Sequence, residues 1–271
     1  MKKRFLAVFL GIFLLLSGCM GTPSDPGGSS DPSSGGSVPF DFEILDKSQP
    51  HRILVLGNSF IWTSDVDGQL LELASANGVR LEVTRHAVGY SQAAGHYQDI
   101  FVQQLYPEVF ENYYDVILLQ TIYQFNDYLA VGDFLTAMDR YGIEAQLLLF
   151  PAENEGGYAE NAKADYPKAR LANWKQLLFE VKYNLGFGNA LNFDDDIQHS
   201  SPLAGFAGAV LLYYRMFAEL PDATELADRM LGAYYDQIPG ETEAEKRASL
   251  DAVCQKARAQ VEWDDSLYAE S

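Results

Sequence analysis

The sequence predicts an α/β domain, a parallel sheet covered by helices on both faces. Three observations carry this. The runs Ile53-Leu54-Val55-Leu56 and Val116-Ile117-Leu118-Leu119 are apolar throughout, as strands buried on both sides must be. Segments of helical periodicity separate the strand-like runs. The first run also ends in Gly57-Asn58-Ser59, a turn signal at the carboxyl edge where open α/β sheets bind ligands.

Taken in order, strand 53–57 is followed by a helix over 66–77, with Asp65 as N-cap and Gly78 as its stop. Strand 80–86 leads into a helical stretch over 94–112, interrupted at Pro107. Strand 116–119 precedes a helix over 128–141 that ends at Gly142. Strand 144–150 stops at Pro151. A long helix is expected over 165–185, with Leu171, Trp174, Leu178 and Val181 on one face. A short strand at 189–193 then leads to a loop, Asp194-Asp195-Asp196-Ile197-Gln198-His199, and a helix from Pro202 to Glu219. Residues 222–236 and 241–262 read as two further helices, a C-terminal helical extension over 221–271.

The first residues are of another kind. A basic start precedes an apolar run from Phe5 to Leu16, too short to span a bilayer but suited to a signal-peptide core. It ends Leu16-Ser17-Gly18-Cys19, which resembles the lipobox of bacterial lipoproteins. That resemblance implies lipidation of Cys19 and an extracytoplasmic chain anchored to a bacterial cell membrane. Residues 20–48 read as a flexible linker, richest in Gly, Ser and Pro up to residue 39, with an end-to-end distance of about 25–30 Å. The main domain is expected over 49–220.

Of 271 residues, 48% are hydrophobic, enough for a sizeable core, and the formal charge is −19. Loss of the three positive charges of Lys2, Lys3 and Arg4 with a signal peptide makes it −22. So acidic a surface repels phosphate backbones, which argues against a nucleic-acid partner. Beyond Cys19 the only cysteine is Cys254, expected to be a small buried hydrophobe in a helix.

Ser59 after a strand-turn glycine is either a helix N-cap or a nucleophile. A nucleophilic serine needs a histidine, and the histidine needs a carboxylate to hold its tautomer. The chain has four histidines, His51, His86, His96 and His199, and His199 alone has an aspartate, Asp196, three residues before it. On a loop after the last strand, this pair should emerge at the same sheet edge as Ser59. His51 is expected in solvent and His86 in a structural role. His96 is expected either in a pocket or at a helix cap. The acidic run 194–196 could be a solvated loop or a Ca²⁺ site, but EF-hand spacing is absent. Neither His-Glu-x-x-His nor Cys-x-x-Cys occurs, so no metal and no cofactor is expected. Gly-x-Ser-x-Gly, Gly-x-Gly-x-x-Gly and Gly-Lys-Ser/Thr are also missing at the first strand.

Gly57-Asn58-Ser59-Phe60 resembles the first block of the SGNH (GDSL-type) hydrolases, and Asp196-Ile197-Gln198-His199 resembles their terminal Asp-x-x-His block. Within that superfamily the chain is most similar to a subgroup beginning Gly-Asn-Ser-Phe, often left as a domain of unknown function. The resemblance covers about Arg52 to Leu220. It implies a three-layer α/β/α, flavodoxin-like fold and a catalytic set of Ser59, Asp196 and His199. It also implies an oxyanion hole from the Ser59 and Gly89 backbone N–H groups and a third donor. The usual asparagine of the third block does not follow Val116–Leu119, so Gln120 is the candidate and Asn126 the alternative. Tyr90, Tyr123 and Phe125 lie in the loops that would shape the pocket. The expected activity is that of a membrane-tethered serine esterase or acylhydrolase acting on a small-molecule or carbohydrate ester. The alternatives are a non-catalytic glycan-binding lipoprotein on the same scaffold, or a lysophospholipase or thioesterase.

Overall fold

The structure is a computed structural model that describes residues 42–89, 92–121, 125–152, 161, 165–193 and 196–269. Within those ranges the side chains of 121, 125–127, 193, 196–198 and 269 are outside the description. Cys19, the linker to residue 41, Tyr90, Tyr123, Asp194 and Asp195 also lie outside the described residues.

Strands β1 (His51–Gly57), β2 (Leu81–Ala87), β3 (Val116–Thr121), β4 (Gln146–Pro151) and β5 (Arg170–Leu171) form one five-stranded sheet, all pairs parallel, in the order β2-β1-β3-β4-β5. That is the flavodoxin-like doubly wound order, with its switch point between β1 and β3. Successive strand residues alternate faces. Ile53, Val55, Val116, Leu118, Leu148 and Phe150 therefore enter one apolar cluster, and Leu54, Leu56, Ile117, Leu119, Leu147 and Leu149 the other. Both faces are covered, which gives the three-layer α/β/α arrangement and explains why these strands are apolar throughout.

The helices are α1 (Ser59–Ser64), α2 (Val66–Ala76), α3 (Ala93–Tyr97), α4 (Phe125–Tyr141), α5 (Trp174–Tyr183), α6 (Pro202–Phe217), α7 (Thr224–Tyr234) and α8 (Glu243–Ala269). α6 is buried almost all round, and its small residues allow close approach. A Cβ on Gly205 would lie 1.9 Å from the Ser64 carbonyl oxygen, and one on Gly208 would lie 2.8 Å from Val66 Cγ2. Trp174 joins the layers: its ring stacks on Phe150 at 4.7 Å, and its Nε1–H donates to the Ala204 carbonyl at 3.1 Å. Leu226, Met230, Leu250, Val253 and Ala257 of α7 and α8 belong to the same apolar cluster as α6. Asp264 Oδ2 accepts from the Asn173 backbone N–H at 2.9 Å, and Arg215 pairs with Asp265. Cys254 is buried, and burial pushes its thiol up to about 12, so it behaves as the expected small hydrophobe.

Several elements differ from the sequence expectation. The expected helix 66–77 stands as α2, but a separate short helix, α1, precedes it from Ser59, because Asn58 caps it: Asn58 Oδ1 accepts from the Phe60 N–H at 3.1 Å. Asp65 stands at the start of α2 with φ 54° and makes no side-chain cap bond. The stretch 94–112 is α3, then a π-helical turn Gln98–Val102, then a 3₁₀ turn Pro107–Glu111. The expected helix 165–185 shrinks to α5, because Arg170 and Leu171 pair with Leu148 and Leu149 at the sheet edge. Residues 189–193 are mostly a 3₁₀ turn, Gly188–Leu191, with only Asn192–Phe193 extended. His51 is buried rather than solvated, its Nε2 2.8 Å from the Asp46 carbonyl and its ring against Phe217.

Among the described residues no helix is long and apolar enough to cross a membrane.

Candidate active site

The site is built on the turn after β1. Gly57 pairs with Ala87, and Leu56 with Leu119, so Gly57, Ala87 and Gln120 reach the carboxyl edge of the sheet side by side. The Asn58 backbone N–H donates to Gln120 Oε1 at 2.9 Å. This contact needs Gly57, since a Cβ there would lie 2.7 Å from the same oxygen and 2.5 Å from Ile61 Cγ1. The glycine thus serves close approach between strand end, helix and amide, with no left-handed φ. Asn58, not Ser59, is the N-cap, which leaves the Ser59 hydroxyl free of that duty.

His199 arrives from a different element than expected. Asp196–Ser200 form β7, antiparallel to β6 (Asn192–Phe193), rather than a loop. The hairpin is tied down at its base: the Ser201 N–H donates to the Leu191 carbonyl at 2.8 Å and the Ser201 hydroxyl to that of Ala190 at 2.6 Å. Ser201 then caps α6, whose Pro202 supplies the preset φ of a first helical residue. The outcome is a contact across 140 residues: His199 Nε2 lies 2.9 Å from Ser59 Oγ. With the ring protonated at Nδ1, the hydroxyl donates to Nε2. Phe60 packs against the imidazole at 5.6 Å between ring centroids, restricting its rotation.

Of the other sequence candidates, Asp196 has its backbone in β7, and its side chain lies outside the described residues. Gly89 sits in the turn after β2, where, among the described residues, a Cβ would meet only Trp62, at 3.9 Å. Gln120 is 2% exposed, with Oε1 engaged by Asn58 and Nε2 without a hydrogen-bond partner among the described residues. Asn126 lies in the first turn of α4, and its side chain, like that of Phe125, is outside the description.

The remaining histidines stand behind the turn. His86 Nε2 lies 2.8 Å from Asp99 Oδ2, and Tyr106 Oη lies 3.0 Å from His86 Nδ1, which gives His86 the expected structural role. His96 is 0% exposed and stands apart from the cavity beside His199, and among the described residues neither ring nitrogen has a side-chain hydrogen-bond partner. Burial first, then the neighbouring His86, pushes His96 down to about 4, against the opposing pull of Asp99. His86, His96 and Asp99 hold three ligand atoms within 4.8 Å of one another, the one such group among the described residues. A cation among them would replace the His86–Asp99 hydrogen bond.

A cavity of about 300 Å³ opens beside the serine–histidine pair, lined by Phe60, His199 and one face of α5. That face was missed in the sequence reading. Trp174, Leu177 and Val181 form the buried stripe of α5, whereas Leu178, expected with them, joins Lys175, Phe179, Lys182 and Tyr183 along the cavity. The second stripe recurs at i, i+3, i+4, i+7 and i+8, so its signal was the spacing of lysines and aromatics.

Neither a family model nor a curated protein matches this chain. Among solved structures it is similar to a protein from Slackia heliotrinireducens described as a candidate SGNH hydrolase. That likeness has 20% identity and a TM-score of 0.45, over 60% of this chain and 97% of the other. It is also similar to the lipase Lip_vut3 from a goat rumen metagenome, at 12% identity and a TM-score of 0.43, over 59% of this chain and 94% of the lipase.

Proposed function

We propose that this chain is a serine hydrolase that cleaves ester bonds. The observation that carries the reading is the 2.9 Å contact between Ser59 Oγ and His199 Nε2, at the carboxyl edge of the sheet and beside an open cavity. In the first half-reaction Ser59 Oγ forms a bond to the ester carbonyl carbon as its proton passes to Nε2. The tetrahedral intermediate collapses, the bond to the alcohol oxygen breaks, and His199 returns that proton to the leaving alkoxide. Water then attacks the acyl-serine with His199 again as base. The carboxylic acid leaves, and Ser59 regains its proton.

Asp196 is the candidate to orient His199 through Nδ1, by its spacing in the sequence. The Ser59 and Gly89 N–H groups would face the oxyanion, with Gln120 Nε2, or in its place Asn126, as third donor. We further propose a carbohydrate-type acyl ester as substrate and a lipid anchor at Cys19, which rests on Leu16-Ser17-Gly18-Cys19.

The test is turnover of 4-nitrophenyl acetate and of an O-acetylated oligosaccharide by wild type, Ser59→Ala and His199→Ala. Either variant should lose about 10⁴-fold or more in kcat. Full turnover by Ser59→Ala contradicts the reading.

A further inference from the structure

We propose that the α5 wall of the cavity is a subsite for an acidic sugar residue, with Lys175 and Lys182 facing its carboxylate and Phe179 and Tyr183 its ring face. The inference rests on the esterase reading of Ser59 and His199.

The helix divides its residues cleanly. Trp174, Leu177 and Val181 are buried in the core, and the stripe Lys175, Phe179, Lys182, Tyr183 lines the cavity that also holds His199. Phe179 and Tyr183 are 52% and 62% exposed, with ring centroids 4.7 Å apart. The two rings are tilted 54° to each other, so they form an apolar corner in which the C–H face of a sugar ring packs by dispersion on one ring while its edge meets the other.

The charges select the kind of sugar. The chain carries −19 overall, a field that turns anions away. Yet Lys175 and Lys182 lie on the same stripe of this wall, about two turns apart, and neither is in an ion pair among the described residues. The acidic residue between them, Glu180, is instead engaged by Lys256 at 3.1 Å and by Asn184 at 2.6 Å. Lys182 Nζ also lies 5.6 Å from the Tyr183 ring centroid, so ammonium and aromatic face act at one place. A ligand with a flat apolar face and a carboxylate matches both features, as a uronic acid residue does. A neutral sugar uses the rings alone.

Two measurements on the full chain test this. The first is calorimetric binding of an unacetylated galacturonate trisaccharide and of the matching neutral galactose trisaccharide, to wild type and to Lys175→Gln/Lys182→Gln. The uronate should bind more tightly than the neutral sugar, weaken with added salt, and lose on the order of tenfold or more in affinity in the double variant. Equal binding of the two sugars, no uronate binding, or indifference to the double substitution overturns the proposal. The second is hydrolysis of acetylated oligogalacturonate, acetylated xylo-oligosaccharide and a 4-nitrophenyl monoester of succinate. The double variant should raise KM for the first alone and leave kcat within about twofold. Lysine dependence confined to the succinate ester places the carboxylate on the acyl group and overturns the sugar assignment. If no ester is turned over but the binding result holds, the subsite stands and the esterase reading fails.

Discussion

The Asn58 backbone N–H donates to the Gln120 side-chain oxygen at 2.9 Å, linking the turn after the first strand to the end of its neighbour. The bond fixes which end of the Gln120 amide is the acceptor. It holds the residue before Ser59 against the sheet, so the position of Ser59 depends on a side chain 61 positions away from it in the chain.

Gly57→Ala tests that arrangement from the backbone side. The added methyl would meet Ile61 Cγ1 at 2.5 Å and Gln120 Oε1 at 2.7 Å, so Ile61 and the amide must both shift. The expected cost is about 1–3 kcal/mol in chemical denaturation, with ester turnover falling much further than stability does. Wild-type turnover in this variant contradicts the tight fit.

Gln120→Glu separates the two ends of the amide. The carboxylate keeps an acceptor for Asn58 N–H but removes the Nε2 donor. If that donor serves the oxyanion, kcat should fall about 10²–10³-fold with KM little changed, and Gln120→Leu should also lower stability. An unchanged kcat in Gln120→Glu removes Gln120 from the oxyanion hole and leaves Asn126 as the candidate.

Gly205→Ala probes how His199 is anchored. The substitution drives a methyl into the Ser64 carbonyl, 1.9 Å away, where backbone rather than a flexible side chain must yield. We expect about 3 kcal/mol or more of destabilisation, read from the urea midpoint. Because this contact joins α1, which begins at Ser59, to α6, which follows β7 and His199 in the chain, the surviving folded fraction should also show a reduced kcat.

The chain alternates legibly because β1, β3 and β4 are buried on both faces, while most helices bury one face. The strand runs 53–57, 116–119 and 144–150 and the order of elements could therefore be read from apolar patterning. Ser59 and His199 could be picked out because few residue types can serve as nucleophile and base. Three features were hidden. Arg170 and Leu171 look helical by periodicity, but pairing with β4 at a sheet edge decides their conformation. His51 adjoins a polar linker in the sequence and so looks solvated, yet the nearby Asp46 carbonyl and the ring of Phe217, remote in sequence, bury it. The cavity stripe of α5 lies one helical position from the core stripe, and Leu178 fits either until the packing is known.

His96 makes stability depend on pH. Its ring titrates near 4 in the folded state and near 6.5 when unfolded, because burial disfavours its charged form. Below 6.5 the unfolded chain takes up a proton that the folded chain refuses. The contribution is complete above 6.5 and is lost as pH falls toward 4, about 3 kcal/mol in all. Asp264, raised to about 7 by burial, works in the opposite direction, since the folded state holds its proton between about 4 and 7. The clean readout is therefore the difference between wild type and His96→Gln in denaturant unfolding. The wild type should lose stability relative to the variant as pH drops from 6.5 to 4. A flat difference contradicts the burial argument.

The most direct measurement is labelling of the full chain with a fluorophosphonate, followed by peptide mapping. One adduct on Ser59 is predicted, strongly slowed in His199→Ala and absent in Ser59→Ala. No adduct in the wild type, or an adduct on another serine that survives Ser59→Ala, contradicts the assignment of Ser59 and His199 as nucleophile and base.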